Sequence, residues 1–159
     1  MKKKIILFSG WILWIVTMVY GISLFIHGNS FKTEDNRIAI VLNKGEKELV
    51  LSEMRILLSV IQEMLVFLSK EDYDSASKKS KEAGMDLVNN LAAAEKSILV
   101  KLPVEFKKLG MGTHDGFDDL SKSIREKKSY PVLLKEMGEI TSLCVTGHKT
   151  NKIELEKSF

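Results

Sequence analysis

The chain has one cysteine, Cys144, and only two prolines, Pro103 and Pro131, in 159 residues. A single thiol cannot close an internal disulfide, so the fold is not a disulfide scaffold, and no two-cysteine metal motif exists. In an extracytoplasmic domain such a thiol pairs between chains, sits buried or carries a group covalently. Charge of one sign is also scarce. Lys2, Lys3 and Lys4 account for the whole net charge of +3. The remainder is neutral, without the electrostatic footprint of a nucleic-acid-binding domain and without a like-charged tail. No repeat of solenoid period and no low-complexity stretch is present. There is no Ser/His/Asp arrangement, no phosphate-cradling loop and no cluster of metal ligands. Gly110, Gly112 and Gly116 do not follow a strand and so fail the dinucleotide context. An enzyme is therefore not expected.

Ile5 to Ile26 carries no charge and is close to the roughly 20 residues that span a bilayer as a helix. Lysines precede it and no acidic residue lies nearby, which keeps the N-terminus in the cytoplasm and the rest outside. The apolar stretch is longer than that of a typical signal peptide and no Ala-x-Ala cleavage pattern follows. An uncleaved anchor over residues 1–27 is preferred to a cleaved signal. Residues 28–44 read as a linker, with a short extended stretch at Arg37 to Leu42.

The scarcity of proline, in segments rich in Leu, Lys, Glu, Ala and Met, favours helices. Asn43 and Glu46 form a capping pattern. Behind it Met54, Leu57, Leu58, Ile61, Met64, Leu65 and Leu68 follow helical spacing up to Ser69. Lys70-Glu71-Asp72 makes a turn. A second helix is expected from Tyr73 to Leu99, with Ser77 and Ser80 among its solvated positions and Leu91, Ala92 and Ile98 among its apolar ones. Pro103 and Pro131 suit the first turns of a third and a fourth helix; the three glycines loosen the third. The expected fold is all-α: an antiparallel four-helix bundle over residues 45–159, preceded by one transmembrane helix. Its expected core contains Met54, Leu58, Ile61, Leu65, Leu91, Phe106, Leu120, Met137 and Ile140.

The last helix carries Cys144-Val145-Thr146-Gly147-His148. A c-type haem attachment site is Cys-x-x-Cys-His, in which two thiols and an imidazole meet one macrocycle from a single helical turn. Here the first cysteine and the histidine keep their spacing, and Gly147 stands at the second cysteine. Further pieces are Leu49-Val50-Leu51-Ser52-Glu53-Met54-Arg55, Gly84-Met85, and Lys101-Leu102-Pro103-Val104-Glu105-Phe106-Lys107-Lys108-Leu109-Gly110. Thr113-His114-Asp115-Gly116-Phe117-Asp118 and Thr150-x-Lys152-Ile153 complete the set. In this order and spacing, from about Arg37 to Ile153, the chain resembles the class II c-type cytochromes, the cytochrome c-prime group. Gly147 and Asn151 depart from the group, the latter where an aromatic is common.

The resemblance implies haem c held by His148 as axial ligand and by Cys144 through a single thioether. It places Met54 on the opposite iron face, as a weak metal ligand or an apolar wall, and Arg55 and Lys152 near the propionates. Phe106 and Phe117 would line the pocket. His114 is read as a surface residue, with a propionate contact or a helix cap as alternatives. The function implied is electron transfer or small-gas binding, outside the cytoplasmic membrane in the periplasm. Its partner is a redox protein or membrane complex, and homodimers are common in the group. The alternative is a haem-free descendant that binds or assembles a membrane complex.

Overall fold

The computed structural model describes residues 2–91 and 96–156, with side chains from Ser9 onward; Ala92 and the last residues, 157–159, lie outside these. The protein is mostly helical. α1 (Lys2–His27) is followed by β1 (Ser30–Lys32), β2 (Ile38–Leu42), α2 (Lys44–Ser69), α3 (Tyr73–Glu82) and α4 (Met85–Asn89). After them come α5 (Ile98–Lys101), α6 (Val104–Arg125), α7 (Tyr130–Thr150) and β3 (Asn151–Leu155). The side chains of α1 from Ser9 to His27 are all exposed, with mean hydropathy 1.8. That helix is long and apolar enough to cross a membrane; an N-terminal signal sequence has the same character.

The linker expected over residues 28–44 is instead structural. β2 is the centre of a three-stranded sheet, antiparallel to β1 and parallel to β3, with Ile40 opposite both Ser30 and Ile153. The run Ile38-Ala39-Ile40-Val41-Leu42 suits a central strand, and Ala39, Ile40 and Leu42 are fully buried. β3 sits where only the end of a helix was expected.

α2 begins as its capping pattern predicts. The Glu46 backbone N–H donates to Asn43 Oδ1 and the Asn43 N–H to Glu46 Oε2, both at 2.9 Å. Lys101 Nζ holds the same carboxylate at 2.7 Å. Partial burial pushes the Glu46 carboxyl up, but the Lys101 ammonium and the Asn43 N–H outweigh it and keep the carboxyl below its ordinary value. Asn43→Ala is expected to lower the unfolding free energy by about 1 kcal/mol, seen as a lower urea midpoint at neutral pH.

The second helix is not continuous. α3 stops at Glu82 and the chain restarts at Met85, because Asp118 of α6 intervenes. Its Oδ2 accepts from the Met85 N–H at 3.1 Å, its Oδ1 takes Lys81 Nζ at 2.9 Å, and a Cβ on Gly84 would collide with its carboxylate. Ser77 and Ser80, expected in solvent, are buried against α6. Ser77 Oγ donates to the Ser121 carbonyl at 3.0 Å and Ser80 Oγ to the Phe117 carbonyl at 2.6 Å. Small hydroxyl side chains let the helices approach while satisfying their own polar atoms. α6 runs unbroken through its glycines, two of which face α7: a Cβ at Gly116 would lie 2.8 Å from Ile140 Cγ1, and one at Gly112 3.5 Å from Leu143 Cδ1.

One buried cluster joins Val60, Met64 and Leu68 of α2, Ala76 and Ala83 of α3 and its cap, Phe117, Leu120 and Ile124 of α6, and Leu133, Met137 and Ile140 of α7. A second, at the sheet end, joins Ile40, Leu42, Val50, Ile98 and Leu102. Of the expected core, Leu120, Met137 and Ile140 are buried and Met54, Ile61, Leu91 and Phe106 partly so. Leu58 and Leu65 are not: they are 67% and 46% exposed. The backbone of α2 comes closer to α3 than to α7, and α2 keeps an apolar flank on which Leu58 and Leu65 are exposed.

Candidate functional site

α7 places the cysteine and the histidine. Leu133, Met137 and Ile140 form its buried row, and the same row continues into Cys144 one turn later. Cys144 is half-buried and His148, a turn beyond, is exposed. Gly147 lies toward α6, where a Cβ would rest 3.9 Å from Leu109 Cδ1 in ordinary contact. Asn151 ends the helix: its side-chain amide donates to the Gly147 carbonyl at 3.2 Å and to Thr150 Oγ1 at 2.8 Å. Asn151 thus acts as the stop of α7. Burial pushes the Cys144 thiol above its ordinary value, so it stays protonated at neutral pH and is a weak nucleophile unaided.

Across from α7 is the open flank of α2. Tyr130 Oη donates to the Leu68 carbonyl at 2.8 Å, which joins the start of α7 to the end of α2. β3 then pairs with β2, which leads into α2, so the two helices run in opposite directions. As many helical residues separate Tyr130 from Cys144 as separate Leu68 from Met54, which puts Cys144 and Met54 at one level. Met54, Leu58, Ile61 and Leu65 recur at three- and four-residue steps along this flank, and Leu134 and Val145 lie on the corresponding flank of α7. Leu134 and Val145 are 56% and 66% exposed. The result is an apolar seam between α2 and α7, with Cys144 and His148 at its sheet end.

The other residues anticipated from the sequence are otherwise engaged. Met54 packs against the second cluster, as does Phe106, while Phe117 is sealed in the first. Arg55 pairs with Glu48 at 2.7 Å and Lys152 with Glu154 at 2.9 Å. No group of three His, Cys, Asp or Glu side chains among the described residues is placed to hold a metal ion. The chain matches no family model, no curated protein and no solved structure.

His114, expected at the surface, is buried. Its Nδ1 lies 2.7 Å from the Ala83 carbonyl and its Nε2 3.2 Å from Glu53 Oε1. A carbonyl and a carboxylate only accept, so this setting favours the imidazole with a proton on both nitrogens. Burial opposes that charge, but Glu53, the Ala83 carbonyl and Asp115 together raise the pKa above its ordinary value. His114 therefore joins α2, α6 and the end of α3. Nothing local marks it, since its partners lie far away in sequence. The sequence also gave no sign of an open groove of about 650 Å³ among α3, α4 and α6, lined by charged groups including Asp74, Lys78, Lys81, Asp86 and Arg125. It contains none of the residues around Cys144.

Proposed function

We propose that α2, α3, α6 and α7 form an antiparallel four-helix bundle of the cytochrome c-prime kind, anchored by α1 and facing the periplasm, that holds one haem. The observation that carries this reading is the pairing of Cys144 and His148 one turn apart on α7, at the end of the apolar seam facing α2. His148 has an exposed ring free to ligate iron, and Cys144 has a thiol at the seam's edge for a single thioether. Met54 serves as an apolar wall, since its side chain is already packed against the sheet-end cluster. Bound haem supplies one-electron transfer or a site for a small gas; the protein orients it and shields it from water. Arg55 and Lys152 reach a propionate only by leaving their carboxylate partners, which on exposed pairs takes little energy.

A second reading, a haem-free bundle that binds or assembles a membrane complex, is favoured by Gly147. Without the second thiol the attachment machinery has half its usual motif.

Production of the full chain beside working haem attachment machinery separates the two. The expected pyridine haemochrome spectrum lies between those of haem c and haem b, because one vinyl remains. His148→Ala should abolish iron ligation, and Cys144→Ala should leave any haem extractable by acidified solvent. Gly147→Cys has room beside Leu109, and should raise attachment yield and move the spectrum to that of haem c. A chain that neither carries haem from the cell nor takes it up in vitro leaves the haem-free reading.

A further inference from the structure

The anchor and the domain are joined without slack. Directly after α1, Gly28 adopts φ +60 and sits so close to α5 that a Cβ would collide with the Lys101 carbonyl. The Asn29 N–H donates to that carbonyl at 2.7 Å. Asn29 also brackets Val41, accepting from its N–H at 2.8 Å and donating Nδ2 to its carbonyl at 3.0 Å. Ser30 Oγ closes the joint on the His27 carbonyl at 2.6 Å. One more contact sets the height. Lys107 Nζ, in the first turn of α6, lies 4.6 Å above the ring of Phe25, and Phe25 is only about 3 Å along the helix axis from His27.

These distances bring the sheet end of the domain to the level at which α1 leaves the bilayer. The polar zone of each leaflet is about 5–7 Å deep, so α5 cannot stand clear of it. The side chains there suit that position. Val100 is 69% exposed, Phe31 50% and Leu155 52%. Leu155 belongs to this end because it pairs with Leu42, next to the Val41 held by Asn29. Three of the carboxylates nearby are already paired, Glu46 with Lys101, Glu105 with Lys108 and Glu154 with Lys152, while Glu34 and Glu156 face solvent at the rim.

Resting on the reading of α1 as a membrane helix, we propose that this end docks on the lipid surface. Val100, Phe31 and Leu155 enter the interfacial zone and Lys107 meets lipid phosphates. Shallow apolar insertion beside a cation is how interfacial segments bind, and here it is continuous with the anchor. The docking holds the domain in one orientation and keeps the α2–α7 seam at a set angle to the membrane.

The test uses the full chain in vesicles of phosphatidylethanolamine and phosphatidylglycerol, with Trp11 and Trp14 replaced by Phe and one new tryptophan as probe. Lipids brominated near the headgroup should quench Val100→Trp and, independently, Phe31→Trp at least two-fold. Glu126→Trp lies at the far end of α6, about 30 Å away, and should be unquenched. A ten-residue Gly-Ser insert after His27 should release the domain and restore the Val100→Trp emission. Quenching of Val19→Trp within α1 by lipids brominated along the acyl chain, with Val100→Trp and Phe31→Trp both as unquenched by the headgroup-proximal bromines as Glu126→Trp, would overturn the docking and leave the anchor intact. A Val19→Trp that the acyl-chain bromines leave unquenched would overturn the anchor and the docking with it.

Discussion

Phe117→Ala is expected to lower the unfolding free energy by about 3–5 kcal/mol, the range for removing a fully buried aromatic from a packed core. Phe117 has no exposed surface and belongs to the cluster to which α2, α3, α6 and α7 all contribute. The backbone leaves little room to collapse into the cavity, because the Phe117 carbonyl is held by Ser80 Oγ and Gly116 is pressed against Ile140. A domain of this size has about 5–15 kcal/mol in all, so one substitution consumes much of its margin. The measurement is urea unfolding of the full chain in detergent, followed by far-ultraviolet circular dichroism, since both tryptophans lie in α1. The midpoint should fall with little change in slope. Leu58→Ala is the comparison: an exposed leucine should shift stability by no more than about 0.5 kcal/mol. Equal losses at the two positions would contradict the separation of core from open flank on α2.

Raising the pH from 5.5 to 8.5 is expected to weaken the fold through His114. Its folded pKa is raised above the ordinary 6.5, so the native state binds the proton more tightly than the unfolded chain. That contribution is complete below about 6.5 and is lost as the pH climbs through the higher folded value. Glu53 of α2 and Asp115 of α6 are the charged groups acting on the ring, and α3 supplies the Ala83 carbonyl. The charged groups Lys79, Glu63 and Glu82 pair among themselves, as do Lys81, Asp86 and Asp118. Asp72 and Asp118 have lowered values, so their contributions stand above the ordinary carboxylate range and fall away only in acid. His114→Ala should lower stability by about 2 kcal/mol at pH 5.5, where the buried carbonyl and the part-exposed Glu53 lose their donor. Its effect should shrink toward pH 8.5, and Glu53→Gln should flatten the same slope. A His114→Ala chain that keeps the wild-type difference between the two pH values would show that the proton acts elsewhere.

The site divides the same way as the fold. The placing of Cys144 and His148 one turn apart is visible in the sequence because a helix puts residues four apart on one face whatever surrounds it. The partners of Arg55 and Lys152 were not visible, because each has carboxylates within reach that motif spacing does not count. The pocket-lining role implied for Phe117 gives way to core packing, since the resemblance places it on α6 without settling which of its faces is covered.

Local interactions made much of the rest readable from the residues alone. The uncharged run of α1, the Asn43–Glu46 cap, the end of α2 near Ser69 and the start of α7 around Pro131 each depend on groups within a turn of one another. Only the tertiary structure decided the others. β3 pairs with β2 across most of the chain, Asp118 breaks the second helix at Gly84, and His114 finds its partners on two other helices. Periodicity identified the apolar side of α2, but whether Leu58 and Leu65 are covered depends on how near α7 comes. Such choices are set by groups distant in sequence, where the loss of solvent contact and the burial of charge are decided by neighbours that no local window contains.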